Sequence, residues 1–257
     1  MRAISLIGQK LLNTAQAAGE MLALLAETVY FIKEAPRNLS SIARQMSDIG
    51  IGTLPIAMLL ALFVGMVLSL QTGSELALYG TQEAIGAIVG LSMVRELGPM
   101  MTSLLVAGRI GSAMAAEVGA MKVYEEIDAL RTLEINPVRY LAMPRLIACV
   151  FAVPALVVFA DVIGILGGGI VAAVNPKINV PFSVYYDNLV RSLDYLEVLK
   201  GLLKACVFGA IIAQVGCYVG FKTTGGARGI GESTTRSVVV SFIMIMVANY
   251  FLTRFML

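Results

Sequence analysis

Four charged residues, Arg95, Glu96, Asp161 and Lys204, stand within or at the ends of long apolar runs. A charge at bilayer depth costs roughly 2.5–3.5 kcal/mol on insertion scales, so such groups face a cavity, a bundle interior or a partner. Two chemistries suit them: an ion or proton path, or a polar strip that receives the headgroup of an amphipathic ligand. Arg95 and Glu96 are neighbours, and on a helix their side chains diverge by about 100°, which keeps them from pairing with each other. The expected intramembrane pairs are therefore Glu96 with Lys204 and Arg95 with Asp161.

Enzymatic chemistry finds little support. The chain has no His, which removes a Ser-His-Asp triad, and no Gly-x-x-x-x-Gly-Lys-Ser/Thr loop that would cradle ATP phosphates. The Gly-rich tract Thr223–Glu232 lacks the Lys-Ser/Thr ending and follows an apolar run rather than a strand, so it reads as a flexible turn. Cys149, Cys206 and Cys217 lie in apolar runs without Cys-x-x-Cys spacing, which favours packing over a metal site. A net charge of +2 argues against a nucleic-acid partner.

The elements that must position these charges are membrane helices. The composition is 58% hydrophobic and 14% charged, with mean hydropathy +0.84. Five candidate spans are visible: Ile49–Ser74, a run from about Ala84 to Ala107 interrupted at Arg95-Glu96, Leu146–Pro176, Ala205–Phe221 and Ser237–Thr253. Each is near the roughly 20 residues that cross the hydrocarbon, and only helices satisfy their own backbone there. Arg2, Lys10, Lys33, Arg37 and Arg44 precede the first span, Arg109–Arg145 is rich in Arg, and Lys222, Arg228 and Arg236 precede the last. That distribution predicts an N-in, C-out topology. No cleavable signal peptide is expected, because Lys10 and Glu20 break up any apolar h-region.

Between about Leu11 and Glu34 the pattern changes. Gln16, Glu20, Glu27 and Glu34 share one helical face, and Leu11, Met21, Leu25, Val29 and Ile32 lie opposite. This suits a helix in the membrane interface, ending near Pro36, although its acidic polar face also allows docking on the other spans. Small residues recur at Ala107-Gly111-Ala115-Gly119 and at Ala160-Gly164-Gly168, spacings that let helices approach closely, within the chain or between copies. Val123–Glu134 reads as a short amphipathic helix stopped by Asn136-Pro137, and its acidic charge favours a protein partner over anionic lipid.

The stretches GMVLSLQ (65–71), VRELGPM (94–100), AGRIGSAMAAEVGAMKVYEEIDAL (107–130), INPVRYLAMPR (135–145) and GIGESTTRSVV (229–239) resemble the MlaE/YrbE permease family, collinearly from about Arg44 to the C-terminus. The resemblance implies a homodimer of five-span permeases without chemistry of their own, in a bacterial (Gram-negative) inner membrane. A separate cytoplasmic ABC ATPase carrying ATP and Mg would power phospholipid movement to or from a periplasmic ring of MCE-domain protein. It places the ATPase-coupling helix at about 122–137, with Lys122, Glu125, Glu126, Ile127, Asp128, Leu130 and Arg131. It places a lipid cavity at Gln71, Tyr79, Arg95, Glu96 and Lys204, while Asp161 matches no charged position of the family pattern.

The expected fold is thus an all-α integral membrane protein. Residues 1–44 form the amphipathic segment and residues 45–257 a five-span permease domain, with the coupling helix between spans two and three. An ion-coupled secondary transporter or channel is the first alternative. The odd span count and the lack of a visible repeat count against it. A non-transporting membrane scaffold is the second.

Overall fold

The computed structural model describes residues 2–256; the side chains of residues 2–8, 10, 11, 13 and 14 are outside the described set, and with them the expectations placed on Arg2, Lys10 and Leu11. All elements among the described residues are helical. They are α1 (Arg2–Tyr30), α2 (Leu39–Leu78), α3 (Gln82–Val123), α4 (Glu126–Thr132), α5 (Val138–Val174), α6 (Phe182–Ser192), α7 (Tyr195–Phe221) and α8 (Gly226–Met256). Five helical stretches are long and apolar enough to cross a membrane. The chain is a membrane protein. Its helices alternate between a loop end, where α1 and α4 lie, and a far end, where α6 lies.

The first α-helix ends at Tyr30, and the backbone leaves helical geometry at Asn38 (φ −115°), close to Pro36. A tighter helical turn, Phe31–Asn38, carries Pro36 and runs directly into α2, which begins at Leu39. The boundary placed near residue 44 therefore falls within the first turns of α2.

The α2–α5 contact organises the bundle. Ala61, Gly65 and Ser69 on α2 meet Ala160, Gly164 and Gly168 on α5, all of them buried. A Cβ built on Gly65 would fall on the Gly164 carbonyl, so only glycine admits this separation. Ser69 Oγ donates to the Gly168 carbonyl at 2.8 Å across the same seam. The second small stripe also packs within the chain: Ser237 Oγ donates to the Gly111 carbonyl at 3.1 Å, and Gly119 abuts Thr223.

One apolar cluster, including Val106, Met114, Leu156, Phe208, Ile212 and Ile245, joins α3, α5, α7 and α8. Another, including Ile85, Val89, Met93, Ala172 and Tyr185, lies towards the far end. There α6 lies across α3; Tyr185 donates to the Ile165 carbonyl at 3.0 Å and Asn188 to the Glu83 carbonyl at 2.9 Å.

The first helix docks on the bundle through its acidic residues and through Met21, Leu24 and Leu25. Glu20 pairs with Lys222 and accepts from Tyr218 at 3.1 Å, Glu27 accepts from Asn136 at 2.9 Å, and Glu34 pairs with Arg139 at 3.1 Å. Spacing of seven residues keeps the three carboxylates in line, and each meets a cation or amide at the loop end of another element. Leu12, Leu22 and Val29 stay exposed on the outer side. The acidic stripe turns to protein, and so do Met21 and Leu25, which the expected pattern put on the opposite face.

Candidate functional site

Proline chemistry shapes the site. Pro99 has no N–H, and its ring crowds the carbonyl of Arg95 four residues earlier. The helix answers with a widened π turn over Met93–Leu97, where the Gly98 N–H reaches back to the Met93 carbonyl. The freed Arg95 carbonyl is taken by Lys204 Nζ of α7 at 2.9 Å. That approach depends on Gly201, one turn earlier on α7, where a Cβ would strike the Val94 carbonyl.

Lys204 is 3% exposed and its ammonium donates to three acceptors: Arg95 O, Glu96 Oε1 at 2.6 Å and Thr253 Oγ1 at 2.9 Å. Glu96 also accepts from Thr253 Oγ1 at 2.9 Å and from Asn249 Nδ2 at 2.9 Å, so α3, α7 and α8 meet in one polar knot. Buried charges persist when their hydrogen-bonding capacity is filled in this way.

Arg95 departs from expectation. It pairs with Glu197 in the first turn of α7, and Glu197 also binds Lys200 at 3.1 Å. Asp161 lies against Gly98 instead, and its Oδ1 has no hydrogen-bond partner among the described residues. The reason is where α7 starts. The apolar run was drawn from Ala205, but the helix begins at Tyr195 and brings Glu197 within reach of Arg95. Glu197, Lys200 and Lys204, at spacing three and seven, share one face, as do Asn249 and Thr253, four apart. That periodicity is the signal that could have found them.

Arg95, Glu96, Glu197, Lys200, Lys204, Thr253 and Met256 line a cleft of about 470 Å³ at the far end. Three cations face two carboxylates there, leaving a surplus of one positive charge. Lys204 and Glu96 bind each other, while the half-exposed Arg95 and Lys200 present their charge to the opening. Such a mouth can hold an anionic or zwitterionic headgroup. Gln71 and Tyr79 are exposed near the end of α2 and are not among the lining residues.

At the opposite end, α4 is shorter than the expected 123–134 helix. Left-handed backbones at Glu125 (φ 62°) and Glu134 (φ 59°) bracket it. Ile127 buries with Val118 and Leu141, and Leu130 packs alongside. Asp128 binds Lys122 at 3.0 Å and Arg131 at 3.4 Å, while Glu125 and Glu126 point outward, exposed. A pocket of about 550 Å³ beside α4 runs between Lys122, Arg131 and Asn136 and reaches Glu27 of α1.

The family described as Permease MlaE matches residues 42–255. A probable ABC transporter permease protein of Rickettsia typhi is 39% identical over 97% of this chain and 96% of its own length. One from Synechocystis is 40% identical over 91% of this chain and 88% of its own. The chloroplastic Arabidopsis thaliana protein TRIGALACTOSYLDIACYLGLYCEROL 1 is 37% identical over 82% of this chain and 60% of its own length.

Proposed function

The chain belongs to the MlaE permease family, and from its place as an ABC transporter permease we propose that it moves phospholipid between a Gram-negative inner membrane and a periplasmic MCE-protein ring. The observation that carries this reading is the far-end cleft, where Arg95 and Lys200 hold a surplus positive charge at the edge of an apolar bundle. A phospholipid needs such an arrangement: cations for its phosphate and an apolar flank for its tails.

In this reading the topology is N-in, C-out, so the cleft opens to the periplasm and α4 to the cytoplasm. Two copies assemble, and the exposed Gln71 and Tyr79 reach the shared cavity from α2. A separate ABC ATPase seats α4 through Glu125, Glu126 and the Lys122–Asp128–Arg131 cluster. Nucleotide-driven closure then shifts the cavity between lipid-accepting and lipid-releasing shapes. The ion-coupled alternative gains little from the knot, since every Lys204 donor is already engaged.

Native mass spectrometry of the complex, purified in mild detergent through a tag on this chain, tests the reading. Two copies with an ATPase and phospholipid-sized adducts are expected. Lys200→Gln should lose the cleft adduct while the copies and ATPase remain. A lone chain without ATPase or lipid, beside a control complex that survives extraction, overturns it.

A further inference from the structure

A second apolar cavity lies away from the far-end cleft, between the first helix and the bundle. Ala18, Met21 and Leu25 on α1 face Val207, Ala210 and Gln214 on α7, two stripes of identical spacing. Met244 of α8 closes the third side, and the space between them is about 440 Å³. Stripes that match so well would be expected to close on each other. The small Ala18 and Ala210 leave them apart.

The slot has a polar stop at its loop end. Gln214 Nε2 donates to the Met21 carbonyl at 2.9 Å, and beyond it Tyr218 and Lys222 hold Glu20. From there the slot runs towards the bilayer centre: on α7, Gln214 lies about 12 Å and Val207 about 22 Å from Lys222 at helical rise. A buried water needs two to four polar partners. The lining offers only the Gln214 amide, one of whose N–H groups is already bonded to Met21, too few partners for a water. A protein helix, about 10 Å across with its side chains, is too wide for the space. What remains at this depth is hydrocarbon. Past that stop, two turns beyond the lining residues on α7, Lys222 lies 5.0 Å from the centre of the Tyr218 ring and its side chain is 47% exposed, so its ammonium can accept an anion besides Glu20.

We propose that the slot between α1 and α7 binds one acyl chain of a membrane phospholipid, with its phosphate on Lys222. This lipid is a resident, distinct from any cargo at Arg95: it wedges the first helix onto the bundle and opens at the opposite end. The proposal rests on the chain being a membrane permease, not on lipid being its cargo.

The intact complex is extracted in mild detergent, washed with lipid-free detergent, and its bound phospholipid counted per chain by native mass spectrometry. Wild type should retain one lipid per chain that survives Lys200→Gln. Ala210→Phe, which fills the slot from α7, and Ala18→Phe, which fills it from α1, should each remove it without lowering subunit assembly. Lys222→Gln should weaken retention about tenfold, the loss of one charge-assisted hydrogen bond. Exchange against phosphatidylethanolamine and phosphatidylglycerol identifies which phosphate-bearing head is held. Equal lipid counts in wild type and in both Phe variants overturn the proposal. Loss of a lipid in Lys200→Gln but not in the Phe variants would leave the cleft reading standing and this one refuted; the reverse pattern would do the opposite.

Discussion

The far-end knot and the acidic row of α1 are both built from carboxylates meeting cations, yet they differ in kind. The Lys204 side chain is 4% exposed, enclosed by three helices, and every donor is engaged. The Lys222 side chain is 47% exposed and those of Arg139 and Glu34 are 46% and 30% exposed. A buried charge that loses its partner stays desolvated, whereas a surface charge turns to water. The first arrangement cannot be dismantled one residue at a time, and the second can. This division suits a transporter. The knot fixes α3, α7 and α8 relative to one another, and the exposed row holds the first helix on the loop end more weakly.

The largest effect is expected at Glu96. Glu96→Gln strands the Lys204 ammonium in the bundle and is expected to cost about 3–5 kcal/mol, read as a large drop in melting temperature in detergent. Lys204→Met should cost less, because Glu96, 37% exposed at its side chain, keeps Asn249 and Thr253 and can rehydrate. Equal losses in the two variants would contradict the asymmetry of burial.

Gly201→Ala comes next. Its added Cβ meets the Val94 carbonyl and pushes α7 from α3, with an expected loss of about 1–3 kcal/mol by the same melting assay. A neutral result would mean the approach of α7 is not what forms the knot.

Arg95→Gln separates function from stability. Arg95 is partly open to the cleft, so melting should change by less than about 1 kcal/mol, while on the proposed function lipid transport falls sharply. Melting loss without transport loss would reduce Arg95 to a structural ion pair.

The smallest effects belong to α1 and the Phe31–Asn38 turn that continues it. Glu27→Gln and Glu34→Gln should each cost about 0.2–1 kcal/mol, and raising salt should erase the Glu34 effect while leaving that of Glu96→Gln intact. Salt-insensitive losses at Glu34 would place α1 among the buried parts of the bundle.

Much of the architecture was legible in the residues. Apolar length marked five spans, because a helix must match the hydrocarbon thickness, and the 3.6-residue period marked α1 as amphipathic. Intramembrane charges flagged Glu96 and Lys204, since such groups are too costly to leave unsatisfied. The stripes through Gly111 and Gly164 announced close packing. Other features were written less plainly. Apolar runs end where charge begins, but helices do not, so α7 extends to Tyr195 and gives Arg95 to Glu197 rather than to Asp161.

The residues alone gave the long apolar helices and the charges that must find company, because those follow from local hydrogen bonding and transfer free energy along one chain, but they did not give α6, nor the helical start of α8 at Gly226 within the tract read as a flexible turn. Only the tertiary structure decided which charge meets which. Partnership depends on the rotation of one helix against another, and here a Pro99-induced π turn and a Gly201 contact set that rotation. The same holds for α1: its period is written in the chain, but whether the acidic face meets water or Lys222, Asn136 and Arg139 depends on what the folded loop end presents to it.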